Sequence, residues 1–346
     1  MPFTAAQPIV RLMERYDAAI VGGGIIGLAT AWRAQQRGLR VCVIERGEPG
    51  GGATHAAAGV LAPDEELGAL AARSAGLWPE FADELRDSTG IDLGYTRCGS
   101  LLLAFDEADV MGDWLDGDAC RALEPGISPD CVGGRLVASD AQVDPRRAAQ
   151  ALVSALGGAL RPHSDVVELS LDELELADGS RIGAERIVLA AGAWSARRLA
   201  RRLPVRPVKG QTLRLRGPLP ATRIIRHEHV YVVPRASGET VIGATIEDAG
   251  YDAEVTEEAT AALLLGARRA VPAVAELELV EAAASLRPGT SDERPLIGEW
   301  EGLLVASGHY RNGILLAPIT AEAIAALLAG EEPPPEIAPF DPQRFD

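Results

Sequence analysis

The stretch DAAIVGGGIIGLATAWRAQQRGLRVCVIE, residues 17–45, decides the fold of this chain. A short apolar strand, 18–21, runs into the glycine-rich turn 22–27, and an amphipathic helix follows the turn. A second apolar strand, 40–44, then delivers Glu45 at its carboxyl end, about 20 residues after the glycines. This order of strand, glycine turn, helix, strand and acid predicts a βαβ unit that binds a dinucleotide. A glycine motif alone would not be enough for that prediction.

Each residue type in this unit has a chemical reason. Glycines allow a tight turn and the close approach of a pyrophosphate, whose negative charge faces the free N–H groups and the positive end of the helix. Glu45 accepts hydrogen bonds from a ribose diol, and an acid at this position disfavours the 2′-phosphate of NADP. The alternative is a structural turn without a ligand. The predicted cofactor contacts in this unit are Gly22, Gly24, Ile25, Ile26, Gly27, Glu45 and Arg46.

Later segments favour FAD over NAD, because a nicotinamide enzyme normally completes a second mononucleotide-binding half directly after the first. Here a run of small residues, 50–59, follows instead. Small side chains would let the backbone pass closely along an extended cofactor; the alternative is a flexible glycine loop. The distant strand and turn 187–194 is typical of FAD proteins with a split Rossmann domain, although alone it is a buried strand end. Segment 308–313 precedes a helix predicted over 314–328, whose N-terminus would stabilise negative charge on the reduced flavin pyrimidine. The predicted cofactor contacts here are Thr54, His55, Ala56, Ala57, Gly59, Val166, Ala191, Gly192, Trp194, His309, Arg311, Asn312, Gly313 and Ile314.

The length and the distribution of turns predict one globular unit with two interleaved lobes. We expect an α/β fold, in which a split Rossmann-type FAD-binding domain is interleaved with an α+β substrate domain that carries an antiparallel sheet. The predicted domain limits are 14–80, 141–204 and 287–346 for the FAD-binding domain, and 81–140 and 205–286 for the substrate-binding domain.

Composition excludes several classes of partner. A formal net charge of −17 argues against nucleic acid and against an anionic membrane surface, because like charges repel before contact. The four cysteines are scattered without a Cys-x-x-Cys pair, so neither a zinc site nor a disulfide framework is indicated, and a reducing cytoplasm fits. His227 and His229 lie two residues apart, but no third ligand has a sensible spacing, so we expect no metal. The apolar stretch 18–31 is too short to cross a bilayer, which needs about 20 apolar residues.

Six motifs together resemble the glycine oxidases of thiamine biosynthesis, members of the D-amino-acid oxidase family of flavoproteins. The resemblance spans nearly the whole chain. It is carried, in this order, by Gly22 to Gly27, Ala56-Ala57-Ala58-Gly59, Val208-Lys209-Gly210-Gln211, Tyr231-Val232-Val233-Pro234-Arg235, Leu286-Arg287-Pro288-Gly289-Thr290 and Gly308 to Pro318. The stretch between Phe105 and Leu123 is shorter than in those enzymes, which leaves the size of the pocket and the oligomer contacts open.

This resemblance implies a non-covalent FAD and a glycine-type substrate, which is oxidised by hydride transfer to flavin N5 to give glyoxylate and ammonia while oxygen is reduced to hydrogen peroxide. It also implies a homo-oligomer, a tetramer in the relatives, and a supply of glycine imine for the thiazole of thiamine. By this resemblance, Arg287 corresponds to the arginine that binds the substrate carboxylate in such enzymes. Tyr231 corresponds to the tyrosine whose hydroxyl acts with that arginine, and Arg311 resembles a further arginine that lines the same cavity. We then expect Val60, His229 and Ile246 in the substrate pocket; the alternative for His229 is a solvated edge.

The chemistry of the residues agrees with these implied roles. Hydride transfer needs the reacting atoms about 3 to 3.5 Å apart, and a planar guanidinium fixes a carboxylate better than a lysine does. No acid or base is obligatory if the amine enters neutral. Some relatives attach FAD through a histidine in a His-Ala-Ala-Gly loop, but here three alanines separate His55 from Gly59, so we expect no covalent bond.

Other interpretations stay open at this point. The enzyme could instead oxidise sarcosine, other N-substituted glycines or small D-amino acids. It could be a dehydrogenase that passes electrons to a membrane quinone or a protein, which the lack of an apolar anchor disfavours. It could be a dinucleotide-binding module without catalysis, against which Arg287 and Tyr231 argue. For each arginine the plain alternative is a surface salt bridge.

Overall fold

The computed structural model describes residues 14–197, 203–228 and 230–345. Within these ranges the helices are α1 Ile25–Gln36, α2 Ala53–Ala56, α3 Gly68–Thr89, α4 Gly117–Leu123, α5 Pro145–Leu156, α6 Glu257–Ala270 and α7 Ala317–Ala329. The strands are β1 Glu14–Val21, β2 Val41–Ile44, β3 Val60–Leu61, β4 Ser100–Ala104, β5 Leu115–Asp116, β6 Gly133–Val137, β7 Ala141–Gln142, β8 Leu160–Arg161, β9 Val166–Leu169, β10 Glu173–Leu176, β11 Arg181–Leu189, β12 Arg206–Arg216, β13 Ile224–His227, β14 Val230–Pro234, β15 Glu239–Gly243, β16 Glu278–Gly289, β17 Leu296–Trp300 and β18 Leu303–Ser307.

The predicted βαβ unit forms the centre of the first sheet. β1 pairs in parallel with β2 on one side and with β11 on the other, and β18 extends the sheet beyond β11 in the same direction. The full order is β17-β18-β11-β1-β2-β8, with β10 and β9 added from β11. Helices α1, α3, α5 and α7 pack one apolar core against this sheet. The predicted Rossmann-type arrangement is therefore confirmed, and its strands come from both halves of the chain.

The second sheet is the predicted, mainly antiparallel sheet. Its order is β16-β12-β15-β14-β13-β4-β6-β5, and all pairs are antiparallel except β13 with β4. Helix α6 covers one face of it and buries Leu263 and Ala267 against strand residues such as Ile242. The opposite face is left free to form part of a cavity.

Side chains at the N-cap begin two of the helices. Asp144 caps α5, since its carboxylate accepts hydrogen bonds from the backbone N–H groups of Arg146 and Arg147 at 2.9 and 3.3 Å, and Pro145 occupies the first turn. Thr256 caps α6 in the same way.

Helix α3 has no counterpart in the sequence prediction. Pro79 lies inside it, and an interior proline lacks a backbone donor and normally breaks a helix. Here tertiary packing overrides that preference, because Trp78, Phe81 and Leu85 are fully buried and the Trp78 indole donates a hydrogen bond to the Leu315 carbonyl at 3.0 Å. The predicted domain limits remain a prediction, and two of them, at 80 and 287, fall inside α3 and β16.

The start of the last helix was predicted too early. Helix α7 begins at Ala317, and a 3₁₀ turn, Tyr310–Asn312, precedes it, so Gly313 lies in the connection and not at the helix start. The signal for the true start is Pro318, which occupies the first turn of α7 as proline commonly does. In the described part of the chain, no helix is long and apolar enough to span a membrane.

Candidate active site

The carboxyl ends of four parallel strands meet at one edge of the first sheet, and the site begins there. Gly22 directly follows β1, and its N–H donates to the Ile44 carbonyl at 2.8 Å, while the Ala190 N–H after β11 donates to the Val21 carbonyl at 2.9 Å. In open α/β sheets this edge is where ligands bind. The glycine turn, the end of β2 and the turn after β11 therefore face a common space.

The glycine turn is built for close approach of a ligand. Gly22 has φ +115°, and a Cβ there would overlap the Ala190 carbonyl oxygen. Gly24 is the N-cap of α1 and offers no side chain as a cap, and the first turn of the helix itself contains no acidic residue, so its positive end faces the cavity. Thr54 approaches from the small-residue loop and accepts a hydrogen bond from the Ile25 N–H at 3.0 Å. Gly27 lies behind the turn, where a Cβ would overlap the Gly22 carbonyl oxygen.

Glu45 is held at the end of β2 by two backbone donors. Its carboxylate accepts from the Gly23 N–H at 2.7 Å and from the Gly47 N–H at 2.9 Å. These bonds fix the carboxylate next to the glycine turn and leave lone pairs for a diol. A Cβ on Gly23 would lie 2.8 Å from the Glu45 Cβ, so only glycine leaves room for this arrangement.

Three arginines hold the loop 53–59: Arg146 of α5, Arg214 of β12 and Arg235, which follows β14. The His55 carbonyl accepts from Arg146 Nε at 3.0 Å and from Arg214 at 3.3 Å, and the Ala58 carbonyl accepts from Arg235 Nη2 at 2.7 Å. Arg214 and Arg235 share Glu239 as their counter-ion. The loop carbonyls thus point at the second sheet.

The His55 side chain lines the cavity and also contacts an acidic side chain of the second sheet. Its Nε2 lies 3.2 Å from the Glu281 carboxylate, which also receives a bidentate pair from Arg146 at 2.6 and 2.8 Å. The Arg146 hydrogen bonds, with a smaller contribution from His55, lower the pKa of Glu281 to about 2. This cluster ties the loop to β16.

The remaining predicted cofactor contacts lie at the turn after β11 and in segment 308–314. The Arg46 guanidinium stacks 3.8 Å from the centre of the Trp194 ring, which closes that side of the cavity. His309 is buried, its Nε2 lies 3.0 Å from the Thr320 hydroxyl, and burial lowers the pKa of the imidazole to about 3. His309 is therefore neutral at physiological pH.

Arg287 lies on β16 at the far end of the cavity, on the floor that the second sheet provides. Its Nη1 donates to the Thr245 carbonyl at 2.9 Å and to the Lys209 carbonyl at 3.4 Å. The guanidinium rests directly on Gly210 of β12, so close that a Cβ at this position would overlap it. Carbonyl acceptors thus orient the fork and leave its other donors to the cavity.

Tyr231 is mounted in the same manner on a second glycine. Its ring lies over Gly243 of β15, whose added Cβ would come within 2.7 Å of the Tyr231 oxygen. The side chain is half-buried and lines the cavity, and burial raises the pKa of the phenol, while Arg287 and then Arg311 counter the shift. The hydroxyl is therefore protonated at neutral pH and able to donate.

The other predicted pocket residues lie around these two side chains. Arg311 is exposed in the 3₁₀ turn before α7 and faces the cavity. Val60 is half-buried at the start of β3, and Ile246 is 53% exposed just after β15; both line the cavity. His229 lies outside the described residues.

All these features line one cavity of about 1090 Å³. This volume is at the upper end of the usual range for small-molecule sites and suits a dinucleotide. Of the predicted site residues that the structure describes, Gly27 alone is not on its wall. The wall includes Tyr231, Arg287, Arg311, Val60, Ile246, Gly22, Gly24, Ile25, Ile26, Glu45, Arg46, Thr54, His55, Ala56, Ala57, Gly59, Val166, Ala191, Gly192, Trp194, His309, Asn312, Gly313 and Ile314.

Several lining residues were not predicted from the sequence. Gly23 could have been found from the glycine motif itself. No sequence motif marks four others, because only the register of the second sheet brings them to the cavity: Leu102, Arg135, Thr212 and Arg226. Among the residues with described positions, no group of three or more His, Cys, Asp or Glu side chains could hold a metal ion.

These observations fit FAD at this site. The uncapped N-terminus of α1 suits a pyrophosphate, Glu45 suits a ribose diol, and the cradle at Gly22 and Gly23 leaves no space that a side chain could fill. The chain belongs to the family of FAD-dependent oxidoreductases, since the model of that family, DAO, matches residues 17–327.

Known relatives agree with this membership. A bifunctional protein ThiO/ThiG of Trichormus variabilis is 38% identical over 361 residues, which cover 95% of this chain but 55% of that protein. The chain thus spans about half the length of the bifunctional relatives it matches. A glycine oxidase of Geobacillus kaustophilus is 35% identical over 370 residues, 96% of this chain and 98% of the relative.

Two solved structures extend the comparison. A crystal structure of glycine oxidase from Geobacillus kaustophilus has a TM-score of 0.89 and 34% identity, and the match covers 95% of this chain and 98% of that one. The iminodiacetate oxidase of Chelativorans sp. BNC1 has a TM-score of 0.85 and 28% identity, with 94% and 98% covered.

Proposed function

We propose that this chain is an FAD-dependent glycine oxidase, which converts glycine, oxygen and water to glyoxylate, ammonia and hydrogen peroxide. The observation that carries the proposal is the pair Arg287 and Tyr231, mounted on Gly210 and Gly243 in the same cavity as the glycine turn. The similarity to glycine oxidases over almost the full length of one relative supports it further.

The roles of the chain's own residues follow from their positions. Arg287 binds the substrate carboxylate with the donors that Thr245 and Lys209 do not take. Tyr231 donates its hydroxyl to the same carboxylate, because burial keeps the phenol protonated. The glycine turn and Glu45 would hold FAD, which when bound would supply the hydride-accepting chemistry needed to oxidise the substrate α-carbon. His309, neutral and bonded to Thr320, supplies no proton at neutral pH, so orientation of a neutral amine is the main contribution of the protein.

Further aspects belong to the same proposal. The partners are a small amine and molecular oxygen, with neither nucleic acid nor a membrane, in agreement with the net charge of −17. The protein acts in the cytoplasm as a homo-oligomer, a tetramer by resemblance, and the glycine imine that it forms before hydrolysis serves the thiazole of thiamine. FAD is held without a covalent bond.

A second candidate is an oxidase of sarcosine, other N-substituted glycines or small D-amino acids. The half-exposed Ile246 and the extension of the cavity past Tyr231 to Arg226 leave room for a substituent. The similarity in structure to an iminodiacetate oxidase also favours an N-substituted glycine as substrate.

The test is release of hydrogen peroxide by the purified holoenzyme with glycine, sarcosine and a panel of D-amino acids. We expect peroxide with glycine and none with bulky D-amino acids. Arg287→Ala should retain FAD but lose about a hundredfold or more in kcat/KM, because an unpaired carboxylate in the site costs on the order of 3 kcal/mol. Arg287→Lys should recover only part of this loss, since it restores charge but not the planar fork.

The matched control is Arg73→Ala, which removes an exposed arginine of α3 far along the chain from the motif and should leave the rate unchanged. Turnover with an artificial electron acceptor but without peroxide would identify a dehydrogenase instead. No turnover with any amine would reject the proposal.

A further inference from the structure

A row of residues crosses the second sheet and leads away from Tyr231. In register, Tyr231 of β14 pairs with Arg226 of β13, Arg226 with Leu102 of β4, and Leu102 with Arg135 of β6. Directly paired residues of neighbouring strands point to the same face of a sheet. All four side chains therefore face the cavity, and all four line it.

The two arginines of this row keep most of their hydrogen-bond donors free, although both lie near enough to Asp140 to counter the rise that burial causes in its pKa. Arg226 has a side chain 37% exposed, and its contact among the described residues is an ion pair at 3.7 Å with Asp140, too long for a hydrogen bond. Asp140 is buried and takes its hydrogen bond from the Ser100 hydroxyl. Arg135 is exposed and makes neither a hydrogen bond nor an ion pair with any described residue. Two guanidinium groups thus face one carboxylate.

A second acid nearby does not neutralise the pair. Glu228 also reaches the cavity wall, but its carboxylate lies 3.3 Å from His227 Nε2 and 3.6 Å from Arg269 Nη1. The donors of Arg226 and Arg135 therefore remain available to an anion inside a chain whose net charge is −17.

The position of Arg226 defines which anion it meets. Directly paired residues have Cβ atoms about 4.5 to 5.5 Å apart, so Arg226 stands one strand beyond Tyr231. If Arg287 and Tyr231 hold the first carboxylate, glycine ends before Arg226. A substituent on the substrate that carries its own carboxylate reaches it.

We propose that Arg226, with Arg135 behind it, forms a second anion subsite that binds a second carboxylate of the substrate, so that the enzyme accepts dicarboxylic amines. This inference rests on the proposed function, because it takes the Arg287 end of the cavity as the first carboxylate site. The carboxylate is carried on the nitrogen, as in iminodiacetate, or on the α-carbon, as in D-aspartate.

The experiment compares steady-state peroxide release by the holoenzyme with glycine, sarcosine, iminodiacetate and D-aspartate. The readout is the ratio of kcat/KM for each dicarboxylate to that for sarcosine, which cancels any general effect of a substitution. In Arg226→Ala we expect the ratio for at least one dicarboxylate to fall about ten- to a hundredfold, mainly through KM, as for the loss of a hydrogen bond between charged groups. The dicarboxylate whose ratio falls identifies the atom that carries the second carboxylate.

Two further variants protect the test against misfolding. Arg226→Ala leaves Asp140 without its ion pair, so two further variants are measured beside it. Arg226→Lys keeps the charge, and Arg135→Ala removes a guanidinium whose described interaction is a longer-range attraction to Asp140. We expect Arg226→Lys to restore part of the ratio and Arg135→Ala to lower it by a smaller factor, while Arg73→Ala leaves it unchanged. If glycine and sarcosine are oxidised but no variant moves either ratio, or if neither dicarboxylate is a substrate, the subsite is refuted. If glycine and sarcosine are not oxidised at all, the proposed function fails instead.

Discussion

Gly210→Ala tests the floor on which the proposed carboxylate clamp rests. Gly210 pairs with Ser285 between β12 and β16, and the Arg287 guanidinium lies on its Cα so closely that a methyl group would overlap Cζ and both Nη atoms. Arg287 cannot retreat freely, since its Nη1 is bonded to the Thr245 carbonyl at 2.9 Å. A single methyl group therefore displaces the guanidinium without removing its charge.

The size of the effect follows from the displacement. Carbon atoms in contact are about 3.5 to 4 Å apart, so the guanidinium must move by about 1 Å or more to accommodate the methyl group. A misplacement of about 1 Å at a positioning group costs about a hundredfold in rate. We expect kcat/KM for glycine to fall by about this factor. FAD content should stay close to that of the wild type, because the glycine turn holds the phosphates.

The assay is peroxide release with glycine at known flavin content. Gly76→Ala is the matched control, because Gly76 is exposed on α3 and an added Cβ would meet no atom within 4 Å. In the double variant, Gly210→Ala should cause little further loss of kcat/KM beyond that of Arg287→Ala, since both substitutions act on the same guanidinium. An unchanged kcat/KM in Gly210→Ala at full flavin occupancy would refute the clamp at Arg287.

Two other predictions concern the cofactor and the loop that lines it. Acid precipitation of the yellow holoenzyme should release all the flavin into the supernatant, and colour left in the pellet would show a covalent bond. Glu281→Gln should lower the melting temperature near pH 7, because the Glu281 carboxylate binds Arg146 and His55. The pKa of Glu281 is lowered from 4.5 to about 2, so its stabilisation is complete above about pH 4.5 and is lost as the pH falls towards about 2. The difference in melting temperature between wild type and variant should thus be constant from pH 8 to about pH 5.5 and shrink on acidification; a difference that grows on acidification would contradict the assignment.

Local signals in the sequence predicted the cofactor side of the site. The βαβ unit is encoded within residues 17–45, where apolar runs, glycines and an acid follow each other at fixed spacing. The N-cap Asp144 and Pro145 likewise specify the start of α5 without help from distant residues. Such features depend on neighbours along the chain, and they can be recognised without knowledge of the tertiary structure.

Features that depend on tertiary contacts could not be predicted in this way. Helix α3 contains Pro79, and it persists because Trp78 and Phe81 are buried against the core. No local pattern shows that Gly210 underlies Arg287, since the two residues lie far apart in the sequence and meet through the pairing of β12 with β16. The resemblance to known enzymes includes both Arg287 and Gly210 in its motifs, but it does not indicate that the glycine positions the arginine.

The register of the second sheet decides which side chains face the cavity. Because successive residues of a strand point to opposite faces, a shift of β13 by one residue would turn Arg226 away and present Ile225 or His227 instead. Ile225 belongs to the apolar core on the other face, where it packs with Val232 and Ile242, and this burial fixes the register. The apolar alternation that stabilises the sheet thereby also sets Tyr231 and Arg226 side by side. Substitutions in that core which loosen the register should therefore alter the choice between substrates before they abolish binding of the cofactor.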